Sequence, residues 1–147
     1  MKAFKDLLNT ALESKLKIAL ILGQVDDIND IRDRFGLISP EKTLIALELM
    51  LRERFGDNSS RRGDRFFAFL IGNDGVRGGE IAESIRSKVE RMEFDERFRV
   101  SMHFGVSTAS SNWTSTNGFT EMLKEAEVAI EDGRKRLVAN RCYIKEL

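Results

Sequence analysis

The dipeptide Gly63-Asp64 separates two runs that read as strands, Ser60 to Arg62 and Arg65 to Ile71. Glycine at the first turn position suits a tight type II′ hairpin, and a hairpin joins its two strands antiparallel. Elsewhere, strand-like runs alternate with segments whose apolar residues recur at helical spacing. A hairpin combined with helices between the other strands demands an α/β (α+β) fold. Its sheet is mixed, mainly antiparallel and flanked by helices, and a doubly wound parallel sheet is ruled out.

Lys17 to Val25 (KIALILGQV) is too short and too apolar for anything but a buried strand. Before it, Phe4, Leu7, Leu8, Ala11 and Leu12 predict an amphipathic helix. Asp26-Asp27 caps a short helix that runs to Phe35 and ends at Gly36. Ser39-Pro40 then supplies an N-cap and a first-position proline. The helix it opens carries Leu44, Leu47, Met50 and Leu51 on one face and stops near Gly56. GNDGVRGG reads as a loop, and Glu80 to Met92 as a helix with Ile81, Ile85 and Val89 inward. Arg97 to Ser107 alternates and reads as one long strand, and STASSNWTSTNG as a polar excursion. Phe119 to Leu137 reads as a helix, and Cys142 to Ile144 as an edge strand closing the sheet. With no repeat or linker, residues 1–147 read as one domain.

Composition narrows the function. Apolar residues make up 41% and charged residues 33%, enough for a core beneath a heavily ionised surface. Lys+Arg and Asp+Glu both number 24, so the formal net charge is zero. Bulk electrostatics therefore favour neither nucleic acid nor an anionic membrane as a partner. The longest apolar run, Ile18 to Leu22, is far short of the roughly 20 residues that span a bilayer. No signal-peptide pattern opens the chain. The lone Cys142 makes no internal disulfide and offers no metal-ligand spacing. A cytoplasmic protein without a cofactor is expected.

At the hairpin the sequence becomes specific. SRRGDRFFAFLIG resembles the signature of the GGDEF family, the bacterial diguanylate cyclases, in which an arginine and one residue precede Gly-Gly-(Asp/Glu)-Glu-Phe and an apolar strand follows. Without gaps, Gly63, Asp64, Arg65, Phe66 and Phe67 occupy the five signature positions, and Arg61 matches the preceding arginine. A shift by one residue would restore an aspartate at the third position but lose Arg61. IALILGQVDDINDIRDRFG is similar to the family's first strand and following helix, IAESIR to the helix after the signature, VSMHFGVS to the strand VTVSIGVA, and EAEVAIEDGRK to RADxALYxAK. The resemblance runs from about Phe4 to Asn140. It implies a palm-like domain with a central five-stranded sheet.

The family joins two GTP molecules with the help of divalent metals, hard cations that need oxygen ligands. The resemblance places those ligands at the first aspartate of D-x-D and at the third or fourth signature residue. Here these positions hold Gln24, Arg65 and Phe66, while Asp26 is retained alone. Arg32 and Glu41 stand in the guanine-recognition positions. Unit charges roughly 4 Å apart interact by about 4 kcal/mol at an effective dielectric of about 20, so exchanging a carboxylate for Arg65 turns attraction for a metal into repulsion. The expectation is a degenerate, non-catalytic member without a metal, in which Asp26 and Arg65 lie on adjacent strands within salt-bridge reach.

Other readings stand beside it. One is a working cyclase with altered ligands. Another is metal-independent GTP binding through Arg65 and Arg134, whose guanidinium forks suit phosphate. A third is an interaction domain that binds no nucleotide, for which the Arg-rich hairpin rim or Trp113 would supply contacts. Arg65 as a plain solvated charge and His103 as a packed strand residue are the bland alternatives. Many family members also bind cyclic di-GMP at an Arg-x-x-Asp site ending five residues before the signature. Arg54-x-x-Asp57 falls at that spacing; the second arginine's position holds Ser84, with Arg86 two residues on. The expected partners are thus a signalling protein and, as a candidate ligand, cyclic di-GMP.

Overall fold

The computed structural model describes residues 6, 18–26, 28–36, 38–71, 75–94, 98–109, 118–135 and 142–146. Among the described residues five strands are formed: β1 (Ile18–Val25), β2 (Ser59–Arg62), β3 (Arg65–Ile71), β4 (Met102–Ala109) and β5 (Cys142–Glu146). They lie in the order β2-β3-β1-β4-β5. The first four form the antiparallel body of the sheet, and β5 joins β4 in parallel at the edge. The expected mixed, mainly antiparallel sheet is therefore present. Of the expected N-terminal helix only Asp6 is described, helical and exposed. Trp113 and the polar stretch around it lie outside the described residues.

The central strand explains its own composition. β1 pairs on both edges, Ile18 with Ile71 and with Ala109, and has a layer of helix on each face. No side of it meets solvent, so the run from Ile18 to Leu22 needs no polar alternation. Ala19, Ile21 and Val25 face α1 (Ile28–Phe35), α2 (Ile38–Phe55) and α3 (Gly75–Arg91), against Ile31, Leu47, Leu51, Ala82 and Val89. Ile18, Leu20 and Leu22 face α4 (Gly118–Lys135), against Phe67, Phe69, Met122, Ala126 and Ile130.

Besides shifts of a residue or two at other ends, three differences from the sequence reading bear on the packing. The glycine-rich run predicted as a loop opens α3 at Gly75. A Cβ on Gly78 would lie 3.0 Å from Val106 and 3.1 Å from Ala19, so its bare backbone lets the helix seat closely on the sheet. Phe98 to Ser101 is not part of the long strand, and Arg97 lies outside the described residues. Phe94 and Phe98 instead exchange backbone hydrogen bonds of 2.8 and 3.2 Å in an isolated bridge, and Phe98 stacks on Phe35 at 4.8 Å. Helix α2 starts at Ile38, one residue before the expected cap. Pro40 still falls in the first turn, where a missing N–H leaves no intrahelical bond unmade. The hairpin reading holds: Gly63 has φ +63°, the positive value its turn requires.

Candidate functional site

Strand register assembles the sequence-predicted residues at one end of the sheet. Gln24 lies directly opposite Arg65 on β3 and opposite His103 on β4. Directly paired residues of antiparallel strands point to the same face, so Arg65, Gln24 and His103 form a row across three strands on the α4 side. The backbone closes the end of the row. Val25 donates to the carbonyl of Asp64 at 3.3 Å, and Asp26 donates to that of Ser101 at 2.9 Å.

Asp26 and Arg65 do not pair with each other. Ser101 Oγ donates to Asp26 Oδ2 at 2.7 Å, and His103 Nδ1 contacts Asp26 Oδ1. Both carboxylate oxygens are thus engaged by protein. An ionised Asp26 only accepts, so Nδ1 carries the proton in this contact. Arg65 turns instead to Glu127 of α4 at 3.3 Å, with its guanidinium 5.9 Å above the Phe67 ring. The expected Asp26–Arg65 bridge is therefore corrected, and its cause is plain. Ser101 and His103 are nearer donors across β1–β4, and α4 offers Arg65 a carboxylate of its own. The signal for these partners was present in the alternation of Ser101 and His103, which sets both on the Gln24 face. Glu127 carried no such signal, because helix-to-strand distances are not local.

The remaining residues take structural places. Phe66 and Phe67 are buried on opposite faces of β3. Arg61 reaches from β2 to Glu41 at 3.2 Å, to Glu48 at 3.3 Å, and to the Gly63 carbonyl at 2.8 Å. It ties the hairpin to α2 and occupies Glu41. Arg32 donates to Asn29 of its own helix at 3.0 Å. Arg134 falls in α4, its side chain outside the described residues. Among the described residues no group of three or more His, Cys, Asp or Glu side chains is arranged to hold a metal ion.

Arg54 lies at a second location, a groove of about 240 Å³ between α2 and α3 whose lining joins Arg54, Lys88 and Ser84 with the carboxylate residue Glu53 and the apolar Met50, Leu51 and Ile85. Asp57 is exposed in the 3₁₀ turn that follows α2. Arg86 is not in the groove lining. The residue is nine-tenths buried, and its guanidinium bonds within its own helix, at 2.8 Å to Glu83 and 2.9 Å to Glu90. The hydrogen bond it donates to Glu83 leads in raising its pKa further above the ordinary arginine value, against the opposing effect of burial. Lys88, one turn beyond Ser84, is the cation that α3 brings to Arg54. Helical i, i+4 spacing from Ser84 is the sequence signal for it.

Solved structures share this architecture. The active GGEEF domain of a diguanylate cyclase from Vibrio cholerae superposes with a TM-score of 0.81 at 20% identity, covering 97% of this chain and 92% of that one. The chain has the GGDEF-domain fold. The GGDEF domain of DgcB from Caulobacter crescentus, in complex with c-di-GMP, gives 0.83 at 17% identity over 97% of this chain and 88% of that one. The Pseudomonas aeruginosa diguanylate cyclase SiaD, in complex with its activator SiaC, gives 0.77 at 17% identity over 96% and 58%. No protein-family profile matches the chain, and no curated protein matches it. At these identities the GGDEF likeness is one of fold. No described helix is long and apolar enough to cross a membrane.

Proposed function

We propose that this GGDEF domain is a non-catalytic regulatory module that works by binding a protein partner in a signalling pathway. The observation that carries the reading is the row Arg65–Gln24–His103, with Asp26 closed off by Ser101 and His103. Where a cyclase needs carboxylates facing divalent metals, this row offers a guanidinium, an amide and an imidazole. Engagement of a protein partner has a precedent of fold in SiaD bound to its activator. Purified protein incubated with GTP and Mg²⁺ or Mn²⁺ is expected to yield no cyclic di-GMP by liquid chromatography. Product that disappears in the Asp26→Ala variant overturns the reading in favour of a cyclase with altered ligands.

The groove at Arg54 favours a small-molecule arm to this function. Arginine forks onto guanine N7 and O6 or onto phosphate, Lys88 adds a second positive charge on the facing wall, and Glu53 in the same lining can accept from guanine N–H groups. We infer that cyclic di-GMP is the ligand for which this wall is suited, as the DgcB complex suggests by fold. Calorimetric titration is expected to show binding that Arg54→Ala weakens tenfold or more, since a hydrogen bond to a charged group is worth about 1.5–3 kcal/mol. If the parent protein binds no cyclic di-GMP at high micromolar concentration, the small-molecule arm is wrong and protein binding alone remains.

A further inference from the structure

Strand β2 is outermost in the sheet order, and among the described residues only β3 pairs with it. Gly63-Asp64 is a two-residue loop, so Arg62 and Arg65 form the hydrogen-bonded pair that closes the hairpin. Hydrogen-bonded and non-hydrogen-bonded pairs alternate along an antiparallel ladder. Ser60 and Arg62 therefore direct their backbone groups to β3, and Ser59 and Arg61 direct theirs to the open edge. The row across the sheet also has a fourth member. Arg62 lies directly opposite Arg65, and so continues Arg65, Gln24 and His103 to the edge on the same face. Like charges directly opposite each other destabilise a strand pair. Arg65 has Glu127 as its counter-ion, and Arg61, on the other face, takes Glu41 and Glu48. Arg62 is exposed and has no ion-pair partner among the described residues.

Resting on the reading that this domain works by binding a protein, we propose that β2 takes an added antiparallel strand from the partner, with an Asp or Glu directly opposite Arg62. Main-chain bonds to Ser59 and Arg61 hold the strand, and the carboxylate selects it. Across the outer edge the pair at Arg62 is a non-hydrogen-bonded one, where Cα atoms approach to about 4.5 Å and side chains meet most closely. A carboxylate there also relieves the repulsion between Arg62 and Arg65. Short, charged edge strands defend a sheet against indiscriminate pairing. The charge that Arg62 presents has one sign, so the edge that turns away a basic strand admits one carrying an acid. Asp57 and Asp64 lie two residues beyond either end of β2, so the edge fits a single central carboxylate and not a long acidic run.

The probe is a short acetylated and amidated peptide of Thr and Val with a central Glu, titrated into the full chain and followed by amide NMR. Binding is expected to shift the amide protons of Ser59 and Arg61 more than those of Ser60 and Arg62, the alternation that an added strand imposes. A central Lys in place of the Glu is expected to weaken binding about fivefold. Arg62→Glu is expected to reverse that order, and a circular dichroism melt establishes that the fold persists at this exposed position. N-methylation of the peptide backbone at the residues facing Ser59 and Arg61 is expected to abolish binding at unchanged charge. A parent protein that takes up no Glu peptide at millimolar concentration overturns the proposal. So does a preference for Glu that survives Arg62→Glu, or binding indifferent to N-methylation, which marks a plain charge contact. Production of cyclic di-GMP overturns the non-catalytic half of the functional reading, and the peptide titration decides the edge by itself.

Discussion

Gly105→Ala is expected to lower stability by roughly 2–3 kcal/mol, seen as a fall in the urea midpoint with little change in slope. A Cβ at this position of β4 would lie 2.2 Å from the carbonyl oxygen of Ala126 and 2.9 Å from Ile130. The first obstacle is helix backbone, which no change of rotamer moves aside. Helix α4 must lift from the sheet, and Ile130, Ala126 and Met122 lose contact with Leu20 and Leu22. Glu127 moves with the helix, so the variant also loosens the Arg65 ion pair. An unchanged midpoint would mean that α4 does not rest on Gly105.

Asp26→Ala is expected to cost about 3 kcal/mol, because it strands two partly buried donors, Ser101 Oγ and His103 Nδ1. Arg65→Ala is expected to cost under about 1 kcal/mol, since the Arg65–Glu127 pair is substantially exposed and screened by solvent. The two variants thus rank opposite to a site whose carboxylate serves a metal and whose structure is indifferent to it. A double-mutant cycle between Asp26 and His103 should give a coupling of at least about 1 kcal/mol. Coupling near zero, with Asp26→Ala as mild as Arg65→Ala, would return Asp26 to the role of a spare catalytic residue.

What was legible in the sequence is what local chemistry decides. The hairpin was legible because Gly63 can take a positive φ and the residues after it form an uninterrupted apolar strand. The burial of β1 was legible because Ile18 to Leu22 has no polar side to expose. The row of Arg65, Gln24 and His103 was not legible, because residue-to-residue register across strands is fixed by pairing and not by local pattern. The ion-pair partners were harder, because a long side chain chooses among several elements converging in space. Arg65 sits beside β1 yet reaches to α4, and Arg86 folds back on its own helix while the facing groove takes Lys88. The start of α3 is not legible because Gly75 and Gly78 carry the propensity of a loop, and the close approach to the sheet that Gly78 permits is a contact between segments distant in the chain.

β1 precedes the other described strands in the chain yet lies in the middle of the sheet, with Ile18 paired to Ile71 on one edge and to Ala109 on the other. During synthesis its most apolar segment leaves the ribosome long before β4 exists to cover the second edge, or α4 to cover the second face. The nascent chain therefore carries an open, sticky strand through most of its own translation. Non-local pairing of this kind is slow to complete and prone to intermolecular contact while it waits. The stretch that anchors the finished domain is also the one that most needs shelter while the domain is being made.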